Sequence, residues 1–419
     1  MFDLLATPRR RRLLFALLYL SEGAPIGFIW WAMPTRLRAA GVDVGDITWL
    51  TATLVLPWTF KFLWAPLVDA LQTRWWTLKQ WIIGAQTLMG LALLPLLWLD
   101  LHENYTLVVS CLLCHAVAAA TQDVAIDALC IQTTHLHERG RLNGWMQAGM
   151  LLGRAGLGGG ALALASLIGD TGVVVLLIGV IWCSLTVLLL TRMPAKFGKD
   201  EPTSLAFKLH ELRNSAAIAL ANRNTWIGLA FALTGGAAYE GLGAIAGPLL
   251  VDSGFSSTNI GYFFGIPVVA AMICGSLIGG RMADRISRRR SVAVSLLMVV
   301  MFAAIVGLTV LPSETSSEAN EIRMILLIYA LTGVYFGIGL FTACSYALFM
   351  DMTTPQVAGT QFSTFMGATN GCEAASGFAI GAIIAASSYS AGIWLLCVPS
   401  LLALVFLRWI NIGSGKDAN

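Results

Sequence analysis

The sequence predicts an all-α membrane protein of twelve transmembrane helices, arranged as two pseudo-equivalent six-helix bundles with both termini in the cytoplasm. Three observations predict this fold class. Hydrophobic residues make up 57% of the 419 residues and charged residues only 12%, whereas a soluble domain has about 25% charged residues. The apolar residues occur in blocks long enough to cross a bilayer, and Lys and Arg collect in alternate loops. Lipid is therefore the solvent that surrounds most of this chain.

The apolar blocks are about 20 residues long, which is the length of a helix that crosses the hydrocarbon core of a bilayer. The predicted spans of the first half are residues 13–33, 47–68, 78–99, 105–131, 142–168 and 172–191. Those of the second half are residues 225–251, 260–282, 291–311, 322–349, 360–386 and 393–410. Five glycines between positions 153 and 160 give the fifth span a face of small residues, which permits close helix approach.

The distribution of basic residues predicts which loops lie in the cytoplasm. The arginines at 9–12 and the loops after spans two, four, six and eight hold most of the Lys and Arg. The other loops hold only Arg36, Arg38 and Arg323 and are otherwise acidic. Cytoplasmic loops of membrane proteins carry the excess of Lys and Arg. An even number of spans with both termini in the cytoplasm fits this pattern.

The longest polar stretch inside the chain divides six spans from six. It covers residues 193–224 and predicts a cytoplasmic linker between an N-terminal bundle at 1–192 and a C-terminal bundle at 225–419. Landmarks recur in the two halves: a proline late in the first span of each, and an Asp that closes the second. Internal repeats of this kind are typical of transporters, in which the substrate site lies at the interface of the repeated bundles.

The loop after span eight carries a charged motif, GGRMADRISRRR at residues 279–290. An Asp at a helix end followed by an Arg-rich turn can hold two helices together by charge pairing, and such a pair breaks when the bundle rearranges. We predict that this motif and its counterpart in the first half act in gating. The gating residues are Asp69, Asp284, Arg285 and Arg288. The motif resembles the G-x-x-x-D-R-x-G-R-R loop of the major facilitator superfamily, with a serine in place of the second glycine.

Two runs in the first half resemble a narrower group within that superfamily. KFLWAPLVD at residues 61–69 resembles the K-F-L-W-x-P-L-x-D signature of the AmpG-like group, which comprises anhydromuropeptide permeases and acetyl-CoA transporters. QDVAIDA at residues 122–128 resembles the Q-D-x-x-x-D-A of that group's fourth span. The lead-in LPW at 56–58 and the run GLGGG at 156–160 are most similar to the siderophore-uptake permeases of the RhtX and FptX type.

This resemblance implies a secondary transporter of a bacterial inner membrane that imports a siderophore or metal–siderophore complex by proton-coupled alternating access. The alternative solutes are anhydromuropeptides or another medium-sized polar molecule. The expected partners are a small-molecule substrate, a proton and membrane lipid, with no nucleic acid, cofactor or metal, and we expect a monomer. In this superfamily, spans one, four, seven and ten line the central cavity.

Seven Asp, Glu, Lys or Arg residues fall well inside predicted spans, away from the span ends, where each is costly unless it faces a cavity or a partner. They are Glu22, Lys61, Asp123, Asp127, Arg154, Glu240 and Glu373. Asp123 and Asp127 share one face of span four because they are four residues apart, and two carboxylates this close repel each other unless one is protonated or a cation lies between them. The two cations, Lys61 and Arg154, either pair with carboxylates to hold helices together or form an anion-binding or gating network.

Away from the span ends, the predicted spans of the second half contain no Lys or Arg to neutralise Glu240 or Glu373. A carboxylate in that setting can take up and release a proton. We therefore predict that Glu240 couples proton entry to transport, with Glu22 and Glu373 as further candidates. The alternative is a protonated Glu240 that is hydrogen-bonded to a neighbouring carbonyl group and has only a structural role.

The predicted substrate cavity combines these charges with polar and aromatic residues of the lining spans. Its members are Asp123, Asp127, Gln122, Arg154, Lys61, Trp30, Trp31, Tyr239, Trp145, Tyr346 and Asn370. Aromatic side chains suit a flat, partly aromatic solute such as a phenolate siderophore. The alternative for each aromatic residue is helix packing or anchoring at the membrane interface.

Other classes of function lack their sequence signals. No G-x-x-x-x-G-K-[ST] loop is present, so this chain alone is not expected to drive transport with ATP. A membrane-embedded acyltransferase would need a catalytic His or Asp at a membrane face, and the one intramembrane His, His115, has no obvious acidic partner in sequence. We therefore expect no enzyme activity. A non-transporting sensor of the same fold is the remaining alternative.

Overall fold

The computed structural model describes residues 4–71, 75–99, 104–133, 136–192, 213–214, 217, 221–311, 317–352 and 358–411. These residues are almost entirely helical, which confirms the all-α class. Nine helical stretches among them are long and apolar enough to cross a membrane. Most of the predicted linker at 193–224 lies outside the described residues.

The helices follow one another with short irregular turns between them. In the first half they are α1 (Pro8–Gly27), α2 (Met33–Ala39), α3 (Val44–Phe60), α4 (Ala65–Ala70), α5 (Leu78–Leu93), α6 (Tyr105–Thr133), α7 (Leu136–Arg154) and α8 (Gly160–Leu190). In the second half they are α9 (Arg223–Gly235), α10 (Ala237–Asp252), α11 (Ser257–Phe263), α12 (Val269–Arg285), α13 (Arg288–Thr309), α14 (Ser317–Met352), α15 (Ala358–Ala386) and α16 (Tyr389–Trp409). Turns of π-helix follow α1, α7 and α11, at Phe28–Ala32, Ala155–Gly159 and Phe264–Val268.

The helices pack into two compact units. The first unit comprises Met1–Met33 and Phe60–Leu212, and the second comprises Pro34–Thr59 and Arg213–Asn419. Helix α1 and helices α4 to α8 therefore belong to the first unit. Helix α3 and most of α2, although they come early in the chain, pack with α9 to α16 in the second unit.

Side-chain oxygen atoms cap the N-termini of several of these helices. At the start of α9, Asn222 Oδ1 accepts a hydrogen bond from the Asn224 N–H at 2.9 Å. Ser256 and Ser388 do the same at the starts of α11 and α16, each at 3.3 Å. The first N–H groups of a helix have no partner within it, and Ser or Asn at the cap position satisfies one of them. The polar residues between apolar blocks thus set where these helices begin.

Glycines let α1 and α7 of the first unit approach each other closely. A Cβ atom at Gly149 would clash with a carbonyl oxygen of α1, and one at Gly23 would clash with a carbonyl oxygen of α7. Small residues permit such contact between transmembrane helices. The small-residue face predicted for span five is confirmed at Gly153, whose Cβ would also meet α1. The prediction is wrong at Gly156, where an added Cβ would meet no described atom of a neighbouring segment within 4 Å.

A single glycine separates two membrane-crossing segments. The helical stretch Trp145–Leu190 has 46 residues, more than twice the roughly 20 that cross a bilayer. Gly169 within it has φ 70° and ψ 174°, a conformation that glycine adopts readily because it has no Cβ atom. The chain therefore turns at Gly169, between the predicted spans at 142–168 and 172–191.

Candidate transport site

The first unit holds a cluster of ionisable side chains from three helical segments. Helix α1 supplies Tyr19, the 3₁₀ turn after α3 supplies Lys61, and α6 supplies Asp123 and Asp127. The Lys61 ammonium group donates to Asp123 Oδ2 in an ion pair. The Tyr19 hydroxyl group lies 3.2 Å from Asp123 Oδ1 and 2.7 Å from Asp127 Oδ1. One phenol therefore bridges the two carboxyl groups that share a face of α6.

Lys61 reaches this cluster because the second predicted span is not a continuous helix. Helix α3 ends at Phe60, the 3₁₀ turn Lys61–Leu63 follows, and α4 begins at Ala65 with a proline in its first turn. Proline is favoured there because its missing N–H would have no partner within the helix. The run K-F-L-W-x-P thus forms the turn that carries the ammonium group.

The members of this cluster differ in their access to solvent. Asp123 is 7% exposed and Glu22 is 1% exposed, whereas Asp127 is exposed. Glu22 interacts electrostatically with Tyr19 and Lys61. Gln122 is fully buried, and neither polar atom of its amide has a hydrogen-bond partner among the described residues. Because a buried amide without partners is costly, Gln122 can serve as both donor and acceptor for a polar solute.

Arg154 does not join this cluster, so pairing of the intramembrane cations with carboxylates is confirmed for Lys61 only. Within the described part of the chain, Arg154 makes no ion pair, and its Nε is buried without a hydrogen-bond partner. The Arg154 carbonyl group packs against Gly27. Gly27 is eight residues beyond Tyr19, which corresponds to about 12 Å along α1. The packing of α7 on α1 therefore keeps Arg154 away from both aspartates.

The second unit places Glu240 just after a break between α9 and α10. Helix α9 ends at Gly235, and α10 begins at Ala237. The Ser400 hydroxyl group of α16 bridges the break: it accepts from the Ala238 N–H at 2.9 Å and donates to the Gly235 carbonyl oxygen at 3.1 Å. Broken helices often flank the substrate site of a transporter. In lipid the backbone groups freed by a break need partners, and Ser400 supplies them here.

Glu240 lies among aromatic and polar groups. Its side chain is hydrogen-bonded to that of Tyr239 and interacts electrostatically with Tyr335 and Cys372. Both Glu240 and Tyr239 are half-buried. The carboxyl group of Glu240 is therefore next to a phenol that can exchange a hydrogen bond with either of its protonation states.

Tyr239 and Tyr346, two of the aromatic residues predicted for the cavity, line one pocket of the second unit. The ring centroids of Tyr239 and Phe341 are 5.8 Å apart, and those of Phe231 and Phe349 are 5.9 Å apart. The cavity volume is about 10 Å³, which is room for about one water molecule. The aromatic side chains therefore close this pocket in the present conformation.

The remaining predicted cavity residues divide between the two units. Trp30 and Trp31 lie in the π-helical turn after α1, where Trp30 is half-buried and Trp31 is buried. Trp145 of α7 is 43% exposed. In the second unit, Asn370 Nδ2 donates to a backbone carbonyl oxygen of α3 at 3.3 Å, and Glu373 follows on the same helix, α15. That all of them share one cavity stays a prediction.

Arg288, at the start of α13, forms an ion pair with a carboxylate at the end of α14. Its Nε donates to Asp351 Oδ2 at 2.7 Å, and its Nη1 donates to a carbonyl oxygen near the end of α12. Arg285 is exposed. The side chains of Asp69 and Asp284 lie outside the described residues. The Arg-rich loop therefore forms an interhelical ion pair, and its acidic partner here is Asp351.

Among the residues of these sites that were not predicted from the sequence, three make the hydrogen bonds or ion pairs that join helices: Tyr19, Asp351 and Ser400. Tyr19 lies three residues before Glu22, on the same face of α1, and this spacing could have suggested it. Asp351 lies two residues after the end of the predicted span ten, where a partner for an Arg-rich loop is expected. Ser400 had no sequence signal, because a serine within a helix commonly bonds to its own backbone.

The sequence matches the model of the Major Facilitator Superfamily over residues 14–371, and again over residues 236–417. A protein of Rickettsia conorii described as a candidate transporter, AmpG 4, is 23% identical over 290 residues, which cover 65% of this chain and 68% of that protein. Its counterpart in Rickettsia felis is 23% identical over 269 residues, which cover 62% of this chain and 64% of that protein. The chain thus matches about two thirds of the length of these curated relatives.

Solved structures share the fold at low sequence identity. A D-xylose–proton symporter has a TM-score of 0.77 at 11% identity, covering 97% of this chain and 98% of that one. The inward-open xylose transporter XylE from E. coli has a TM-score of 0.74 at 10% identity, covering 98% of each chain. The nucleoside transporter NupG has a TM-score of 0.71 at 12% identity, covering 96% of this chain and 99% of that one. With the family match over most of its length, this chain is a multi-pass membrane transporter rather than an enzyme, and it belongs to the Major Facilitator Superfamily.

Proposed function

We propose that this protein is a proton-coupled secondary transporter that imports a siderophore or a metal–siderophore complex across a bacterial inner membrane by alternating access. In chain order, its twelve spans form bundles at 1–192 and 225–419, joined by a linker at 193–224, with both termini in the cytoplasm, although residues 34–59 pack with the second compact unit. It acts as a monomer. The bacterial relatives support the location, and the asymmetry of Lys and Arg between loops supports the topology.

The charged cluster of the first unit carries this proposal. A charged side chain inside a membrane is costly and marks the path of a solute or ion. The Lys61–Asp123 ion pair lies beside a second carboxyl group, that of Asp127. Gln122, the residue before Asp123, adds a fully buried amide on the same helix. Outside this cluster, Arg154 is a second positive charge well inside the predicted spans of the first half, and its Nε has no hydrogen-bond partner within the described ranges. Together these groups can bind a solute that carries charges and hydrogen-bonding groups, as siderophores do.

Proton coupling is assigned to Glu240, with Glu22 and Glu373 as further candidates. The protonation of a buried carboxyl group responds strongly to its neighbours, and Glu240 lies beside Tyr239 and directly after a helix break. Movement of α10 during alternating access changes those neighbours. Glu240→Gln is expected to abolish accumulation against a gradient while exchange of internal for external solute continues.

An anhydromuropeptide is the second candidate substrate. The two Rickettsia relatives are named AmpG, and the run KFLWAPLVD at 61–69 resembles the signature of the AmpG-like group. The aromatic side chains around Tyr239 and Tyr346 close their pocket in the present conformation, and they favour instead a solute with a planar aromatic group when the pocket opens during alternating access. This pocket is the reason that a siderophore is placed first.

Uptake by cells that express the protein tests the proposal. Two labelled panels, ferric siderophores and anhydromuropeptides, are offered with and without a protonophore. Gly156→Ala, a substitution into open space, is the matched control for expression. We expect protonophore-sensitive accumulation of a siderophore and its loss in Lys61→Met. Accumulation of muropeptides instead would show that a muropeptide, not a siderophore, is the substrate. Accumulation that is unaffected by the protonophore would refute proton coupling.

A further inference from the structure

The position of the Tyr19 hydroxyl group limits the charge on the two carboxyl groups beside it. It lies within hydrogen-bond distance of both Asp123 Oδ1, at 3.2 Å, and Asp127 Oδ1, at 2.7 Å. A phenol has one hydrogen to donate, and its oxygen can accept. If both carboxyl groups were ionised, one of them would face the phenol oxygen with no hydrogen between the two atoms. Both contacts become hydrogen bonds when one carboxyl group carries a proton.

The ion pair indicates which carboxyl group carries that proton. Lys61 donates to Asp123 Oδ2, so Asp123 is stabilised as a carboxylate. No Lys or Arg of the described ranges forms an ion pair with Asp127, whose Oδ1 lies 2.7 Å from the Tyr19 hydroxyl group. Asp127 is exposed, whereas Asp123 is 7% exposed. Because a carboxyl group that faces lipid is costly, we expect the exposed side of Asp127 to face the solute path, where it can exchange a proton with water.

The remaining charged groups around α6 are compatible with this assignment. The groups that act electrostatically on Asp127 are Asp123, Lys61 and Tyr19. Glu22 of α1 acts on the last two of these. Helix α5 packs on α6, but its Lys79 donates to two carbonyl oxygens at the end of α8. On α4, the side chain of Asp69 lies outside the described residues.

Asp127 also lies at the end of its helix where a proton would be released during import. It falls within the last two turns of α6, Tyr105–Thr133. The distribution of Lys and Arg predicts that this end faces the cytoplasm. A proton that leaves an exposed carboxyl group there enters the cytoplasm, as symport into the cell requires.

We propose that Asp127 binds the transported proton and that Tyr19 transmits its protonation state to the neighbouring ion pair. With Asp127 protonated, its O–H donates to Tyr19, and Tyr19 donates to Asp123. After Asp127 has passed its proton to water, Tyr19 turns its hydrogen to Asp127, and Asp123 is held by Lys61 alone. This inference rests on the proposed transport function and adds a proton site in the first unit to Glu240 in the second.

Infrared difference spectroscopy of the purified protein tests the proton site without any substrate. A protonated carboxyl group has its own C=O stretching band, so a pH titration follows it directly. We expect a titrating band that is lost in Asp127→Asn and retained in Glu240→Gln. An unchanged band in Asp127→Asn would overturn the proposal.

Tyr19→Phe tests the transmission step, because it keeps the ring and removes the hydroxyl group. We expect the Asp127 band to persist with its titration midpoint moved by about one pH unit, a tenfold change in proton affinity. Tyr239→Phe removes a phenol of the second unit and is the matched control, in which the Asp127 midpoint stays in place. A midpoint that Tyr19→Phe leaves unchanged would overturn the role of Tyr19.

Uptake separates a failure of this inference from a failure of the proposed function. Asp127→Asn is expected to lose accumulation against a gradient and to keep solute exchange, since a permanently neutral side chain carries no proton. Normal accumulation by this variant would overturn the proton site and leave the transport function standing. Uptake that depends on sodium and is unaffected by a protonophore would also overturn the proton site. It would indicate instead that a metal cation binds between the two carboxylates. If cells that express the wild-type protein accumulate neither siderophores nor muropeptides, the proposed function fails. The infrared band then still tests whether Asp127 is the proton site.

Discussion

Replacement of Asp252 by alanine is expected to weaken the association of three helices in the second unit. Asp252, at the end of α10, accepts a hydrogen bond from Arg38 Nε of α2 at 2.6 Å and from the Tyr389 hydroxyl group of α16 at 2.7 Å. The side chains of Arg38 and Asp252 are 25% and 28% exposed, so water screens the pair only in part. Asp252→Ala removes both bonds at once.

The structure sets the size of this effect. A hydrogen bond to a charged group contributes about 1.5–3 kcal/mol, and an exposed ion pair contributes about 0.2–1 kcal/mol. Because the network is only partly exposed, we expect the free energy of unfolding to fall by about 2 kcal/mol, which is the lower part of the combined range. That corresponds to roughly a thirtyfold change in the unfolding equilibrium, since about 1.4 kcal/mol is a factor of ten.

Unfolding of the purified protein by SDS in mixed micelles, followed by tryptophan fluorescence, measures this loss. Glu321→Ala removes an exposed carboxylate of α14 and is the matched control, for which no change is expected. A double-mutant cycle with Tyr389→Phe isolates the phenol's bond and should give a coupling energy of about 1 kcal/mol. A loss below about 0.5 kcal/mol for Asp252→Ala, the size of an ordinary surface substitution, would refute the reasoning.

Three further substitutions test packing and hydrogen bonding within each unit. Gly149→Ala is expected to lower the unfolding temperature in a thermal-shift assay, because its Cβ would clash with α1. Gly156→Ala should leave that temperature unchanged, since its Cβ would meet no described atom of a neighbouring segment within 4 Å. Equal unfolding temperatures for the two variants would contradict the packing of α1 on α7. Lys79→Met removes the ammonium group that donates to carbonyl oxygens of α8 and of the residue after it, at 3.2 and 2.6 Å, and should speed amide exchange at that helix end. Ser400→Ala leaves the N–H at the start of α10 without its partner and should cost about 1–3 kcal/mol in the SDS titration, while Ser400→Thr keeps the hydroxyl group and should cost less.

Much of the fold could be predicted because each transmembrane segment is specified by its own residues. The break between spans five and six was expected between 168 and 172, and Gly169 makes it. The 3₁₀ turn at Lys61–Leu63 and the break between Gly235 and Ala237 were not expected. Both interrupt apolar blocks that look continuous in sequence, and contacts such as the Ser400 bridge stabilise the second of them.

Most ionisable residues of the candidate site could be predicted from the sequence, but the hydrogen bonds and ion pairs between them could not. The four-residue spacing of Asp123 and Asp127 was enough to place them on one face of a helix, and Lys61 was one of two cations that could neutralise them. Lys61 is the partner because the 3₁₀ turn after α3 brings it to Asp123. Arg154 is not, because its backbone packs against Gly27 of α1. This packing joins residues that are far apart in the chain.

By itself, the sequence determined that lipid surrounds the chain, that the fold is all-α, that the resemblance is to the major facilitator superfamily, and which ionisable residues lie inside spans. It could do so because the thickness of the hydrocarbon core and the cost of a buried charge act on each segment separately. Only the tertiary structure decided that Tyr19 bridges two carboxyl groups, that Ser400 bonds to the backbone on both sides of a helix break, and that Asp351 forms an ion pair with Arg288. Those choices depend on the rotation and register of each helix against its neighbours, and contacts between distant parts of the chain set both.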